Sequence, residues 1–167
     1  MEQALERERP VPNTDVDALF TKYADMVYRL AFLRTKSGAD ADDVTQEVFL
    51  RCMRFQPRWN DAEHQKAWFL TVTINCTKTL LTSAWRRHTV AEQENLVTEM
   101  ETDTGVYGAV MALPKQYRTV IHLHYYEGYG VSEIGKLLSL PENTVKSHLF
   151  RARGLLREQL KGEYLDV

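Results

Sequence analysis

The chain has 167 residues, of which 44% are hydrophobic and 26% charged, and its formal net charge at pH 7 is -2. Such a composition is typical of a soluble, mostly helical protein with one domain of ordinary size or two very small ones. No stretch approaches the ~18 apolar residues of a membrane span, and the acidic, proline-containing start lacks the apolar segment of a signal peptide. We therefore expect a cytoplasmic protein with no membrane insertion of its own.

Two amphipathic helices are predicted in the first half of the chain. In the first, large apolar residues recur at helical spacing from Leu19 to Ala31. A break at residues 37–39 precedes the second, and we expect Asp40 to cap it, because acids in a first turn complement the helix dipole. Its inner row comprises Val44, Val48 and Cys52. Its outer face comprises Asp43, Gln46, Glu47 and Leu50. From helical spacing alone, the simplest interpretation of this outer face is a surface in contact with water.

A third helix is predicted from about His64 to Arg87. One broad arc of it is apolar, and the other combines amides, hydroxyls, aromatic rings and cations. The members of this second arc are Thr71, Asn75, Lys78, Thr82, Trp85 and Arg86, with Trp68 at its edge. Such groups stack on unpaired bases and hydrogen-bond to them, which indicates single-stranded nucleic acid as a ligand. The alternative is that the tryptophans fill the core and the threonines face water.

Between His88 and Thr104 the sequence loses its large apolar residues and gains acids and threonines. We interpret this stretch as a flexible linker. The sequence therefore predicts an all-α protein with two small helical domains, residues 1–87 and 106–167, joined by a linker at residues 88–105.

A helix-turn-helix is predicted in the second domain. Residues 131–150 read VSEIGKLLSLPENTVKSHLF, which is typical of a helix, a tight turn at residues 139–141 and a second helix. Apolar residues of the second helix recur at helical spacing: Val145, Leu149, Ala152 and Leu156. This stripe must face inward, so the opposite side presents polar and cationic groups to a DNA major groove. The groups expected at the DNA are Asn143, Thr144, Lys146, Ser147, Phe150, Arg151 and Arg153, with Arg157 on the same cationic side. An ordinary amphipathic helix with a solvated cationic face is the alternative.

The net charge of the whole chain contrasts with the positive charge of the predicted recognition helix. Phosphate contacts from Lys and Arg supply most nonspecific affinity for DNA, and a chain of net charge -2 is poorly suited to hold DNA unaided. We expect a larger partner to deliver this chain to DNA, and acidic surfaces elsewhere to be available for that partner.

Motifs of enzymes and metal sites are missing from the sequence. The two cysteines, Cys52 and Cys76, lie far apart inside apolar helical patterns, and we expect reduced, buried thiols. The five histidines provide none of the usual zinc-ligand spacings. No glycine-rich phosphate loop, HExxH or GxSxG motif is present. The sequence therefore predicts no catalytic residues, no metal and no cofactor.

Four motifs together resemble a known family. They are DADDVTQEVFLR at residues 40–51, AWFLTVTINCTKTLL at 67–81, LPKQYRTVIHLHYYEGY at 113–129 and the helix-turn-helix. In this order they resemble a bacterial RNA polymerase sigma factor of the sigma-70 family, extracytoplasmic-function (ECF) group, a small subunit that gives the polymerase its promoter specificity. The resemblance extends from about Asp17 to Leu160.

For the first domain, a region 2-like unit at residues 1–87, the resemblance implies two binding faces. Asp43, Gln46, Glu47 and Leu50 are implied to dock on the clamp helices of the β′ subunit of core polymerase. The third helix is implied to recognise the −10 element as it melts, through Trp68, Thr71, Asn75, Lys78, Trp85 and Arg86. Asn75 and Lys78 are the best candidates among them. The loop from Gln56 to Glu63 matches the family's specificity loop, where a flipped base is captured.

For the second domain, a region 4-like unit at residues 106–167, the resemblance implies recognition of the −35 element and docking on the β flap. The implied −35 contacts are Asn143, Thr144, Lys146, Ser147, Phe150, Arg151 and Arg153. The resemblance also implies an anti-sigma factor as a partner, in this family often membrane-bound.

Three residues depart from the family pattern. Thr71 and His148 stand where relatives frequently have arginine, and Asn143 stands where many have glycine. We expect weaker backbone contacts near the −10 element and an altered −35 preference. His148 falls at the edge of the buried stripe, which favours a packing histidine over a phosphate ligand.

A competing class is a stand-alone helix-turn-helix transcriptional regulator with a helical sensor domain. A helical nucleic-acid enzyme is a third class, but no acidic metal cluster supports it. The first two classes differ in one property. A sigma factor binds core polymerase with no DNA present, whereas a regulator binds duplex DNA alone.

Overall fold

The computed structural model describes the backbone of residues 13–88 and 105–165, and the side chains of residues 16–83 and 105–162. The chain divides into two compact units, Met1–Thr89 and Val90–Val167. Every element in the described residues is a helix, which confirms the prediction of an all-helical chain. Residues 89–104, which make up most of the predicted linker, lie outside the described part of the chain.

Three long helices form the first unit: α1 (Asn13–Thr35), α2 (Gly38–Phe55) and α3 (Ala62–His88). Their apolar faces meet in one buried cluster. Its members are Tyr23, Val27, Ala31, Ala41, Val44, Val48, Phe49, Cys52, Phe69 and Cys76. The predicted inner row of α2 is therefore confirmed, and the polar face on the other side of α2 is left outward.

The fully buried ring of Phe69 lies at the centre of an aromatic group. Its neighbours lie at centroid distances of 4.6 Å for Tyr23, 5.0 Å for Trp68, 5.4 Å for Phe49 and 5.8 Å for Trp59. These rings come from all three helices and from the loop between α2 and α3. Their packing fixes the loop and the rotation of α3 about its own axis.

A buried arginine links α1 to α3. Arg34, only 5% exposed, donates from Nε to Oγ1 of Thr77 at 2.7 Å. Thr77 in turn donates to the carbonyl oxygen of Ile74 at 2.7 Å. Because a buried charge requires satisfied hydrogen bonds, this link specifies how α3 lies against α1.

The cap of α2 differs from the prediction. Ser37, rather than Asp40, is the N-cap, and its hydroxyl accepts the backbone N–H of Asp40 at 3.2 Å. Asp40 lies in the first turn, where its charge complements the helix dipole. A hydroxyl three residues before a free N–H is a better cap than a carboxylate already inside the turn.

The loop after α2 is shorter than the expected range of Gln56 to Glu63. Gln56 is in the left-handed conformation, with φ of 43°, and its N–H closes α2 on the carbonyl of Cys52 at 3.0 Å. Asp61 then accepts the N–H of His64 at 2.7 Å, so α3 already begins at Ala62. Glu63 therefore belongs to the first turn of α3 instead of the loop.

The second unit contains α4 (Val106–Met111), α5 (Lys115–Ile121), a π-helical turn at His122–Tyr126, α6 (Val131–Leu138) and α7 (Glu142–Leu165). Its most buried apolar side chains are at most 2% exposed: Leu113, Val120, Leu123, Ile134, Val145, Leu149 and Ala152. The last three belong to the predicted inward stripe of α7 and are confirmed, whereas its fourth member, Leu156, is only half-buried. The polar side of α7 therefore faces outward.

The turn between α6 and α7 needs a glycine. Ser139 ends α6 in the left-handed conformation, with φ of 55°, and the N–H of Leu140 bonds to the carbonyl of Gly135 at 2.9 Å. A Cβ on Gly135 would lie 2.8 Å from the backbone oxygen of Leu140. Because a backbone atom is the obstacle, a larger residue displaces the turn.

We expect Gly135→Ala to lower the free energy of unfolding of the second unit by about 1–3 kcal/mol, the usual cost of overpacking. Gly154→Ala is the matched control, because a Cβ there meets nothing within 4 Å. That change raises helix stability by about 0.5–1 kcal/mol. Urea unfolding followed by far-UV circular dichroism measures both. Tryptophan fluorescence identifies the first unit's transition, since Trp59, Trp68 and Trp85 are all there. Equal stability of Gly135→Ala and the parent would contradict the steric argument.

Candidate functional site

The outer face of α2 is exposed and chemically mixed. Asp43 and Gln46 are exposed, and Leu50 keeps 49% of its surface in water. Glu47 is half-buried and accepts a hydrogen bond from Nε of Arg51 at 2.9 Å. That hydrogen bond raises the pKa of Arg51. The face therefore presents an unpaired acid, a partly neutralised acid and an apolar side chain in one row.

The outer face of α3 presents polar side chains in helical register. Asn75, Lys78 and Thr82 are exposed, and Thr71 is half-buried. Beside them, Lys78, Thr79, Thr82 and Ser83 line a shallow depression of about 310 Å³. The hydroxyls of Thr79 and Thr82 donate to backbone carbonyls one turn earlier, at 3.1 and 2.8 Å. The outward lone pairs of these two hydroxyl oxygens can therefore accept hydrogen bonds. The ammonium group of Lys78 beside them can donate.

Trp68, predicted at the edge of the polar arc, packs toward the core of the first unit. It is half-buried and packs edge-on against Phe69 at 5.0 Å and Trp59 at 5.8 Å. For this tryptophan the structure favours the alternative of core packing, and a DNA contact there depends on the part of the ring left exposed. The side chains of the two other predicted α3 residues, Trp85 and Arg86, lie outside the described ones.

Trp59 was missed in the sequence reasoning. It lies in the loop between α2 and α3, packs on Trp68 and Phe69, and buries its indole Nε1 without a hydrogen-bond partner. A lone tryptophan in a polar loop was the available signal, since such a ring rarely stays in water. Its packing holds in place the loop that the family resemblance assigns to base capture.

The predicted DNA face of α7 is exposed as a set. Its exposed members are Asn143, Lys146, Ser147, Phe150, Arg151 and Arg153, and Thr144 is half-buried. Phe150 is the most exposed of the large apolar side chains that the structure describes, at 77%. Arg153 is not a freely moving cation, because its Nε donates to the phenol oxygen of Tyr125 at 2.6 Å.

His148 is a packing residue. It is half-buried, and its ring lies edge-on to Tyr117 at 5.5 Å. Its Nδ1 is buried without a hydrogen-bond partner. This packing agrees with the position predicted for His148 at the edge of the buried stripe.

The two cysteines are buried, as expected, with 3% and 5% exposure for Cys52 and Cys76. Burial raises the pKa of both thiols, which disfavours the thiolate form that binds metals and attacks substrates. Among the side chains of residues 16–83 and 105–162, no three His, Cys, Asp or Glu groups converge in a way that could hold a metal ion. None of the described helices combines the length and apolar character that crossing a bilayer requires.

Two family models match the chain, one to each unit. The model described as Sigma-70 region 2 matches residues 19–87, and the model described as Sigma-70, region 4 matches residues 105–156. These matches, on an all-helical fold, define a transcription initiation factor of the sigma-70 class.

Named relatives make the class more specific. The ECF RNA polymerase sigma factor SigL of Mycobacterium tuberculosis is 32% identical over 155 residues, which cover 86% of this chain and 88% of the relative. The RNA polymerase sigma factor SigV of Bacillus subtilis is 29% identical over 152 residues, covering 87% and 91%. The chain belongs to the extracytoplasmic-function group of RNA polymerase sigma factors. These are transcription initiation factors that direct the polymerase to promoters, and nothing in the comparisons supports the stand-alone regulator.

Solved structures agree on the fold. The sigma factor RpoE of Bartonella quintana, in complex with the anti-sigma factor NepR, is similar with a TM-score of 0.71, at 19% identity and coverage of 88% of this chain and 97% of that one. CnrH, in complex with the cytosolic domain of CnrY, is similar with a TM-score of 0.62, also at 19% identity, covering 90% of each chain.

Proposed function

We propose that the chain docks on core polymerase through the outer face of α2 and contacts promoter DNA through α3 and α7. The docking residues are Asp43, Gln46, Glu47 and Leu50. The −10 contacts come from the polar arc of α3, with Asn75 and Lys78 as its central members, and the −35 contacts come from the exposed side of α7. One observation carries this proposal: opposite its core, each unit exposes most of the described residues that the family resemblance assigns to binding.

The division of labour follows the two units. Residues 1–87 act on the polymerase and on the melting strand, residues 106–167 on duplex DNA and on the β flap, and residues 88–105 join them. The chain contributes no catalytic residue of its own. It works in the cytoplasm, where the polymerase and the chromosome are.

An anti-sigma factor is the proposed regulatory partner. The similar RpoE structure contains such a partner, and the fold of this chain matches that sigma factor. The acidic and apolar groups on α2 are a surface that an inhibitor competing with polymerase would cover. The same argument predicts mutual exclusion: the chain binds the polymerase or its inhibitor, but not both.

Reconstituted transcription tests the function. The chain is mixed with core polymerase and a genomic DNA library, and the run-off products are sequenced. The function predicts a small set of start sites that share two upstream elements and that disappear when the chain is left out. Start sites identical with and without the chain would contradict it. The most enriched site is called the selected promoter below.

We expect Asn75→Ala together with Lys78→Ala to reduce open-complex formation on the duplex form of the selected promoter by about fivefold, roughly 1 kcal/mol. The reason is that an amide and a cation are lost from the exposed arc of α3. A template with a pre-melted −10 bubble should recover part of the loss, because the cost of unpairing is already supplied. Permanganate footprinting measures strand opening on both templates.

The control is Lys22→Ala, which also removes one positive charge, but from an exposed position on α1. It should leave strand opening within twofold of the parent. The −35 preference of the double variant should also stay unchanged, because α7 carries that contact. Normal opening of duplex promoters by the double variant would remove α3 from the mechanism.

A further inference from the structure

A tyrosine from the π-helical turn holds an arginine of α7. Nε of Arg153 donates to the phenol oxygen of Tyr125 at 2.6 Å, and the guanidinium carbon lies 5.6 Å from the centroid of the same ring. The two residues are 28 positions apart in sequence. Both are exposed, Tyr125 to 60%. In the part of the chain that the structure describes, no carboxylate pairs with Arg153, so the phenol is what orients it.

Tyr125 itself stands on a well-fixed backbone. The turn is closed by the N–H of Glu127 on the carbonyl of His122 at 3.0 Å and by the N–H of Tyr129 on the carbonyl of Leu123 at 2.9 Å. Nδ1 of His124 lies 2.8 Å from the carbonyl oxygen of Tyr129, and its ring packs edge-on to Tyr125 at 4.7 Å. The phenol is therefore a fixed acceptor rather than a mobile one.

The position of Arg153 on α7 identifies what it can bind. It follows Lys146 by seven residues and precedes Arg157 by four, so the three cations share one side of the helix. No acid interrupts residues 144–157. Lys146 lies in the turn that enters the groove, and Arg153 and Arg157, later on the same side, fit the phosphates of one DNA strand.

The hydrogen bond leaves Arg153 with a defined set of free donors. A guanidinium has five N–H groups in one plane, and the phenol takes the one on Nε. The four N–H groups on the terminal nitrogens remain, and two of them can engage one phosphate in the bidentate manner typical of arginine. An arginine already held in place also loses less side-chain freedom when it binds.

We propose that Tyr125 is a positioning residue that holds Arg153 ready for a backbone phosphate of the −35 duplex. This rests on the proposed function, in which α7 lies in the major groove. The contact contributes affinity for every −35 sequence and no base preference, because phosphates carry no sequence information. Tyr125 acts through Arg153 and touches no DNA itself.

The test is a double-mutant cycle on the full chain in holoenzyme. Closed-complex affinity for the selected promoter is measured over a range of salt concentrations for the parent, Tyr125→Phe, Arg153→Ala and the double variant. Arg153→Ala should weaken binding and reduce the salt slope by about one unit. Tyr125→Phe keeps the ring and removes only the acceptor, and it should weaken binding about threefold. The double variant should bind no more weakly than Arg153→Ala alone, a coupling that a merely structural tyrosine would not show.

Tyr126→Phe is the matched control. It removes a neighbouring phenol of nearly equal exposure, 59%, whose ring stacks on His122 at 4.9 Å. It should leave affinity within experimental error of the parent. Thermal unfolding of each variant shows whether the fold survives.

Four results would overturn the inference. Unchanged affinity and salt slope in Arg153→Ala would show that the arginine binds no phosphate. A normal Tyr125→Phe, or one whose loss persists in the Arg153→Ala background, would show that the phenol does not act through the arginine. Tighter binding by Tyr125→Phe would show that the phenol withholds Arg153 from DNA. A separate measurement of the −35 base selectivity of Lys146→Ala shows whether α7 binds in the major groove, as the proposed function requires.

Discussion

Replacing Asp43 and Glu47 with lysine should lower the affinity of the chain for core polymerase at least tenfold, about 1.4 kcal/mol. Both side chains lie on the outer face of α2, and the buried row of that helix is untouched, so the fold should persist. Reversing Glu47 also replaces its 2.9 Å pair with Arg51 by two like charges. A partly exposed i, i+4 pair of this kind contributes roughly 0.2–0.5 kcal/mol to a helix, too little to unfold the unit.

A control of equal charge separates the interface from long-range electrostatics. Asp17→Lys with Asp25→Lys changes the net charge by the same amount, and both acids are exposed on α1. Affinities are measured by titrating fluorescently labelled chain with core polymerase at physiological salt. We expect the control to bind within threefold of the parent. If the folded α2 variant binds as tightly as the parent, the polymerase face has been assigned to the wrong residues.

The second large effect concerns base selectivity in the −35 element. Lys146 is exposed in the second turn of α7, the end of a recognition helix that enters the groove most deeply. A good side-chain contact to a base edge provides roughly 1–3 kcal/mol of discrimination. Lys146→Ala should therefore relax selectivity at one or two −35 positions by about five- to 150-fold. Asn143, one turn earlier, is the other candidate reader.

Arg151 is the matched comparison, because it is a cation on the same helix but more than a turn later. There the helix leaves the bases and passes the backbone. Arg151→Ala should weaken all −35 sequences alike and reduce the salt slope by about one unit. A complete −35 substitution matrix measured with both holoenzymes distinguishes the roles. Equal losses of selectivity, or no loss from Lys146→Ala, would refute this division while leaving the helix-turn-helix intact.

Helices and their inward faces could be predicted from the sequence because apolar spacing is a local signal. The stripe of α7 and the row of α2 follow directly from a period of 3.6 residues. Once the apolar positions are assigned to the core, the remaining positions of each helix must face outward. The polar faces of α2, α3 and α7 could therefore also be predicted from spacing. The family resemblance then assigned those faces to partners, which spacing cannot do.

What could not be predicted depends on contacts between residues distant in sequence. Spacing placed Trp68 at the edge of a polar arc, but Trp59 and Phe69 draw its ring against the core. The helical wheel shows Arg153 as a free cation, whereas its partner, Tyr125, is on another element. The predicted cap of α2 was wrong for a local reason: the helix begins at Gly38, so Asp40 lies inside its first turn and donates its own N–H to Ser37.

Binding to core polymerase in the absence of DNA tests the central claim most directly. Equimolar chain and core polymerase are combined without nucleic acid and analysed by size-exclusion chromatography, alongside the chain mixed with the selected promoter alone. The account predicts a stable complex with core polymerase and only weak, salt-sensitive association with free duplex. Tight, sequence-specific binding to the duplex, together with no polymerase complex, would contradict it and return the chain to the class of stand-alone regulators.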